Sequence, residues 1–147
     1  FANSVAIGQN SATNSTNQLM IGGTATNRRL DTTLNGTLST TRTINSSVNT
    51  SSITAASLDL DLIEGNMFDI TLENNSTMNI LNPINGARYT FLLRQDAIGN
   101  RILSFGANIV FENGTPIILS TGASSVDVLE GVVLSGDLYL WSRLNFS

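Results

Sequence analysis

The sequence predicts an all-β protein made of three successive segments, on the basis of composition, periodicity and turn residues. Asn, Thr and Ser occupy 29 of the first 57 positions but only 23 of the remaining 90. From residue 58 onward, short runs of alternating apolar and polar residues are separated by Gly, Asn and Pro, as in β-strands joined by turns. Since no helical period exceeds one turn, we expect residues 58–147 to form an antiparallel β-sandwich of the jelly-roll kind.

The first segment, residues 1–26, contains a short internal repeat. Ser4–Gly8 and Gln18–Gly22 each have two large apolar residues at alternate positions followed by Gly, and the two glycines are 14 residues apart. Short strands closed by Gly at a fixed period are typical of the coils of a β-solenoid, which needs about three repeats to bury its faces. Two unrelated strands that each end in Gly fit the period equally well.

The second segment, residues 27–57, has the features of an extended neck. Its apolar residues are isolated among Thr, Ser and Asn, and they are Leu30, Leu34, Leu38, Ile44, Val48 and Ile53. Their spacing fits neither a heptad nor a clean alternation, and Thr favours extended backbone. Because so polar a segment cannot offset its ordering entropy as a single chain, we expect three copies to wrap around one another here. A flexible linker is the alternative.

The third segment, residues 58–147, is expected to form a knob of nine short strands. Their expected bounds are 58–62, 68–72, 78–80, 89–93, 101–105, 109–111, 117–119, 126–134 and 138–146. Asp59 and Asp61 alternate with three leucines, so the first of these strands has one buried and one solvent-exposed face. In the eighth strand, Glu130–Gly131 indicates a bulge or a bend.

Composition and charge exclude several classes of protein. The chain has no Cys, His or Lys, which excludes zinc fingers, disulfide scaffolds, Ser-His-Asp triads and Schiff-base lysines. The net charge is −4, with +2 before residue 58 and −6 after it, so a basic nucleic-acid footprint is absent. No apolar run approaches the roughly 20 residues that span a bilayer, and we expect no membrane insertion.

We expect no enzymatic activity, no cofactor and no metal. Asp59 and Asp61 are the best candidates for a pair of catalytic carboxylates of the glycosidase type. The solvent-exposed face of a strand explains them better, because leucines alternate with them. Asp96 and Asp137 could meet around Ca²⁺, but the sequence has no D-x-D-x-D loop to hold the ion.

Residues 2–26 resemble the head repeats of trimeric autotransporter adhesins, which also occur in phage tail fibres. The resemblance rests on Asn3–Gly8, Ser11–Thr13 and Asn17–Gly22. It implies a β-roll in which three chains wind side by side with the apolar residues inward. Because Phe1 opens in the middle of the pattern, we expect earlier coils to precede this chain.

Residues 58–147 resemble a β-sandwich module found at the C-terminal ends of phage and virion fibre proteins. The resemblance rests on Asn82–Gly86, Tyr89–Asp96, Gly99–Arg101, Pro116, Leu138–Tyr139 and Leu144–Phe146. In that family the module follows a trimeric shaft and forms the distal knob. Phe105 and Phe111 stand here where the family usually has Trp, so the match is partial.

These resemblances imply a homotrimeric, receptor-binding fibre tip, extracellular on a virion, that attaches a phage or virus to a host-surface glycan or protein. One alternative is a purely structural fibre or decoration protein of the virion, without a host ligand. Another is a fragment of a bacterial trimeric adhesin, which the lack of membrane-anchor strands after the knob disfavours.

If a ligand site exists, we expect it in the loops of the knob, where binding groups concentrate on a rigid scaffold. The candidate ligand-binding residues are Asp96, Asn100, Arg101 and Asn113, because they combine an acid, amides and a guanidinium with neighbouring Gly. Ordinary turn chemistry is the alternative for each of them. Tyr139 and Trp141 are expected on opposite faces of their strand, with Trp141 in the core or at a trimer interface.

Overall fold

The computed structural model describes residues 5–7, 19–21 and 48–146, and for the first two of these ranges it describes the backbone alone. The chain divides into two compact units, Phe1–Thr43 and Ile44–Ser147. Throughout the described ranges, no helix has the length and hydropathy needed to cross a membrane.

In the first unit, β1 (Val5–Ile7) and β2 (Leu19–Ile21) form a two-stranded parallel sheet. Each residue of β1 lies opposite the residue 14 positions later in β2, beginning with Val5 against Leu19. This offset equals the separation of the two Gly-ended repeats, so the strand pairing follows the repeat. The rest of the predicted β-roll and residues 27–47 of the predicted neck lie outside the described residues.

Residues 48–146 of the second unit form nine strands in two sheets. The strands are β3 (Val48–Ile53), β4 (Ser57–Asp61), β5 (Met67–Leu72), β6 (Ser76–Leu81), β7 (Arg88–Gln95), β8 (Leu103–Phe105), β9 (Ile109–Phe111), β10 (Val126–Leu134) and β11 (Asp137–Phe146). One sheet has six strands in the order β3-β5-β7-β10-β11-β9, and the other has three in the order β4-β6-β8. A 3₁₀ turn, Glu112–Gly114, follows β9.

The strands β3 to β8 form three successive coils that alternate between the two sheets. β3, β5 and β7 are parallel neighbours in the larger sheet, and β4, β6 and β8 are parallel neighbours in the smaller one. Val48 lies opposite Met67, and Met67 lies opposite Thr90, so each coil places its strands beside those of the coil before it. The crossover that a parallel pair requires is supplied here by a strand of the other sheet.

The antiparallel part of the fold is a hairpin that follows these coils. β10 is antiparallel to both β7 and β11, whereas β9 joins β11 in parallel. The prediction of an all-β fold is confirmed, and the two sheets are consistent with a sandwich. The prediction of an antiparallel jelly-roll is wrong for the larger part of it, because an apolar-polar alternation is the same in parallel and antiparallel strands.

One hydrophobic core lies between the two sheets. The inward residues of each strand are buried as the alternation predicts: Leu58 and Leu60 in β4, Phe68, Ile70 and Leu72 in β5, and Tyr89, Phe91 and Leu93 in β7. The ring of Phe91 stacks on Phe68, with centroids 5.4 Å apart, and lies 6.3 Å from that of Tyr89. β7 is the last strand of the coils in the larger sheet and the neighbour of β10. Phe91 on β7 therefore packs where the coils meet the hairpin.

Two local predictions within the knob differ from the structure. Residues 117–119 form no strand, although Leu119 is buried in the core. The irregularity in β10 lies between Val126 and Val128 and not at Gly131. Gly131 faces inward, and a Cβ there would come within 2.7 Å of the Tyr139 carbonyl oxygen. A glycine is therefore needed at position 131 because β11 approaches closely there, and not because β10 bends.

The compact second unit extends further toward the N-terminus than residue 58, the predicted start of the knob. β3, which lies within the predicted neck segment, pairs along its whole length with β5. Ile53, the last residue of β3, is 5% exposed and belongs to the core. The apolar residue that the sequence placed on a neck axis is thus part of the sandwich.

Candidate functional site

The loop after β7 holds three of the four predicted site residues. The Asp96 carboxylate accepts hydrogen bonds from the backbone N–H groups of Ile98 at 3.0 Å and Gly99 at 2.8 Å. Its other oxygen accepts from Arg101 Nε at 3.0 Å and from Nη2 at 2.5 Å. Both oxygens of Asp96 and one face of the Arg101 fork are therefore occupied in holding the loop.

The electrostatics of this loop have the same structural cause. The hydrogen bonds from the Arg101 guanidinium are the largest influence that lowers the pKa of Asp96, and the backbone donors of Gly99 and Ile98 add to it. Asn100 takes a positive φ of 59°, and its N–H donates to the Thr121 carbonyl at 2.8 Å. Asp96, Asn100 and Arg101 thus have roles in turn chemistry, the alternative that the sequence analysis left open.

Asn113, the fourth predicted residue, lies apart from this loop in the 3₁₀ turn after β9. Its φ is 55°, a left-handed conformation that Asn tolerates better than most residues. Asn113 lines a cavity of about 510 Å³, whereas Arg101 borders a separate hollow of about 80 Å³ beside Ile102 and Ile118. The structure therefore does not bring the four predicted residues into one site.

The cavity of about 510 Å³, which we call the Trp141 cleft, is the candidate site that we consider. Its lining residues come from the 3₁₀ turn, the segment after it and β11, and they are Glu112, Asn113, Thr115, Ile117, Leu140, Trp141, Ser142 and Arg143. Its volume of about 510 Å³ falls within the roughly 300–1,000 Å³ typical of ligand pockets. The lining combines an aromatic ring with acid, amide, hydroxyl and guanidinium groups.

A second hollow of about 310 Å³ adjoins the Trp141 cleft and is more apolar. Val110, Phe111 and Tyr139 line it, together with Glu112, Leu140 and Trp141, which it shares with the cleft. Tyr139 is 40% exposed, while Leu138 and Leu140 on the other face of β11 are buried. The two concavities are thus neighbours that share three lining residues.

The prediction that Tyr139 and Trp141 lie on opposite faces of their strand is wrong. Residues two positions apart in a strand point to the same face. The buried residues Leu138 and Leu140 occupy the inner face, so both aromatic residues point outward. The alternation of two leucines with two aromatic residues in β11 is the sequence signal that indicates an outward aromatic pair.

The Trp141 ring is held by a partner on the neighbouring strand. Glu130 lies directly opposite Trp141 in the β10–β11 ladder, and its Oε2 accepts the indole N–H at 3.3 Å. The Arg143 guanidinium approaches the same carboxylate oxygen at 3.9 Å, but its side chain remains 72% exposed. The ring is therefore positioned, whereas the guanidinium extends into solvent.

The two aspartates weighed as catalytic carboxylates lie on the outer face of the smaller sheet. Asp59 accepts hydrogen bonds from Asn79 Nδ2 at 2.8 Å and Ser57 Oγ at 3.2 Å. Asp61 accepts from Asn82 Nδ2 at 3.0 Å and from a backbone N–H. Within residues 48–146 no group of three or more metal-ligating His, Cys, Asp or Glu residues occurs. These carboxylates belong to a ladder of polar side chains.

Comparison of the chain with protein-family models, with curated proteins and with solved structures gives no match.

Proposed function

We propose that the protein is the homotrimeric tip of a phage or virus fibre and attaches the particle to the surface of a host cell. The observation that carries this proposal is the prevalence of parallel pairing. Six of the eight strand pairings among the described residues are parallel, and the four among β3 to β8 follow the chain from one coil to the next. Stacked parallel coils extend a molecule along one direction, which suits a fibre.

The hairpin supports the position of this chain at a tip. β10 and β11 pair antiparallel and end the succession of coils that begins at β3. Terminal caps of this kind are required in stacked architectures, because the last coil otherwise leaves an open edge. The hairpin and the segment before it also carry the Trp141 cleft, so the candidate site lies beside the cap.

The homotrimer rests on composition. The first two segments, residues 1–57, contain 29 Asn, Thr and Ser residues and have little apolar surface to bury within one chain, so other copies of the chain are the simplest source of further apolar contacts. A purely structural virion component is the alternative function, and it shares the trimer but lacks a host ligand.

Two measurements test the proposal. Sedimentation equilibrium should give three times the 15.7 kDa mass of one chain, and a mass of a single chain would contradict the trimer. Fluorescently labelled protein should bind saturably to some members of a panel of bacterial and animal cells. A trimer that binds no cells in a broad panel would favour the purely structural role.

A further inference from the structure

The Trp141 cleft exists because β9 ends before its partner strand does. The last residue pair of the β9–β11 ladder is Phe111 opposite Leu140, after which the chain turns away through Glu112–Gly114. Trp141 is the next residue of β11. One flank of the indole therefore borders a concavity instead of a neighbouring strand, and the cleft is a feature of the sheet's construction.

The indole ring offers a rigid apolar platform. Its N–H donates to Glu130 at 3.3 Å, and Glu130 is itself fixed in register on β10. A held aromatic ring presents a large contact area and loses little conformational entropy when a ligand arrives. Such a ring suits the apolar C–H face of a sugar.

The rim of the cleft supplies the complementary polar groups. Asn113 offers an amide, Thr115 and Ser142 offer hydroxyls, and Arg143 offers a guanidinium that is 72% exposed. Amides and hydroxyls both donate and accept hydrogen bonds, as the hydroxyl groups of a sugar require. The ring and the rim thus combine the two kinds of contact that a sugar needs in one cavity.

The charges around the cleft indicate the class of sugar. Glu112 lines the cavity, and the Glu130 carboxylate accepts the hydrogen bond from the indole N–H beside it, whereas Arg143 is the single cationic group in the lining. Two carboxylates against one guanidinium disfavour a ligand that carries its own carboxylate or sulfate. A neutral sugar avoids that repulsion and still uses the hydrogen-bonding groups.

We propose that the Trp141 cleft binds an uncharged saccharide, with a pyranose ring stacked on Trp141 and its hydroxyls bound by Asn113, Ser142 and Arg143. This inference rests on the proposed attachment function and names its ligand class and its site. It moves the site from the predicted loop of Asp96 to the junction of β9 and β11.

The experiment uses the whole chain and an array of neutral hexose-terminated, N-acetylhexosamine-terminated and sialylated glycans. Trp141 is the single tryptophan of the chain, so its fluorescence reports on this site alone. We expect binding to uncharged glycans and a change in tryptophan emission when the same glycans are added in solution. Binding confined to the sialylated glycans would overturn the proposal.

Three variants locate the site. Trp141→Ala should weaken glycan binding at least about tenfold, and Trp141→Phe should lose less, because it keeps an aromatic face. Arg143→Ala tests the rim with little risk to folding, because that side chain is 72% exposed. Ile98→Ala is the matched control, since it truncates a side chain that is 70% exposed in the loop of Asp96. Glycan binding that survives both Trp141→Ala and Arg143→Ala would overturn the proposed site.

Two further outcomes separate this proposal from the proposed function. If no glycan on the array binds while cell binding is lost in Trp141→Ala, the cleft binds a protein receptor, and attachment stands without the saccharide. If Trp141→Ala converts the trimer to single chains, the cleft is a contact between copies and the saccharide site is overturned. Each variant is first compared with the wild-type chain in thermal unfolding, and Arg143→Ala decides the question if Trp141→Ala fails to fold.

Discussion

The parallel coils and the antiparallel hairpin differ in whether their surface polar side chains bind one another or remain exposed. In the coils, charged and amide side chains bind one another: Asp69 forms a bidentate pair with Arg94 at 2.7 and 3.1 Å, and Asp59 binds Asn79. In the hairpin, the side chains of Tyr139 and Arg143 are exposed and line concave surfaces.

This difference follows from repetition. Parallel coils place side chains one above another at a fixed spacing, so a polar group can meet a partner from the next coil, as Asp69 meets Arg94 and Asp59 meets Asn79. In the terminal hairpin, which has no next coil, the side chains of Tyr139 and Arg143 remain 40% and 72% exposed. The comparison indicates that ligand-binding side chains are best sought in the hairpin, where the stacked coils end.

The largest expected effect is the loss of the aromatic residue that both regions share. Phe91 is fully buried on β7, which pairs with the coils on one side and with the hairpin on the other. Phe91→Ala should lower the free energy of unfolding by about 3–5 kcal/mol, measured by denaturant titration. Ile118→Ala is the control, because its side chain is 81% exposed and should change stability by less than about 0.5 kcal/mol. Equal effects of the two changes would contradict a shared core.

A second prediction compares a buried aspartate of the hairpin with an exposed one of the coils. Asp127 is 2% exposed and accepts hydrogen bonds from the Ser120 N–H and hydroxyl at 2.7 and 2.8 Å and from the Asn145 N–H at 2.7 Å. Asp127→Asn places an amide NH₂ against at least one of these donors, so we expect a loss of about 1–3 kcal/mol in denaturant unfolding.

The matched control for Asp127 is Asp59→Asn. Asp59 also accepts hydrogen bonds from side chains, but it lies on an exposed face where water replaces any lost partner. The same substitution there should cost much less. If the two variants unfold at the same denaturant concentration, the buried carboxylate does not anchor the segment before β10.

A third prediction concerns the close approach of β10 and β11. A Cβ at Gly131 would lie 2.7 Å from the Tyr139 carbonyl oxygen and 2.9 Å from a Leu138 methyl group. Gly131→Ala should therefore destabilise the protein by about 1–3 kcal/mol, measured by denaturant unfolding. Gly122→Ala is the control, since its nearest neighbour would be Ser125 at 3.8 Å and its effect should be neutral or slightly stabilising. A neutral Gly131→Ala would show that the hairpin is more loosely packed than the coils.

The smallest expected effect is a pH dependence from the loop of Asp96. Because Arg101 lowers the pKa of Asp96 in the folded state, the contribution of this pair is present above the pKa of the unfolded chain. It is lost as the pH falls through the lowered folded value. Thermal unfolding between about pH 6 and about pH 2 should show a smaller decrease in Tm for Asp96→Asn than for the wild-type chain. Parallel Tm profiles would mean that the pair contributes nothing to stability.

Sequence alone identified most of the strands but not how they pair. The alternation of leucines with Asp59 and Asp61 placed β4, and Asn-Gly and Gly-Asn turns separated its successors. Residues 117–119 have the apolar character of a strand, yet they cover the core without a ladder. Apolar character specifies burial, and a strand also requires a neighbour with free backbone groups.

The candidate site shows the same limit. Asp96, Asn100 and Arg101 were selected as residue types that bind ligands, and the fold uses them to bind one another and the backbone. Asn113 was selected for the same reason and lines the cleft. Sequence cannot separate these cases, because the difference lies in which partners the fold brings within hydrogen-bonding distance.

The sequence by itself determined that the chain is all-β, which faces of β4, β5 and β7 are buried, and that its repeat has a period of 14 residues. These properties depend on the order of apolar and polar residues along the chain, which a strand converts directly into two faces. Only the tertiary structure decided that the coils are parallel, that Ile53 belongs to the core, and that Trp141 borders a cleft. Each of these features depends on which strands become neighbours and on where one strand ends before its partner. Strand pairing joins residues that are distant in sequence, so the local pattern of apolar and polar residues does not specify it.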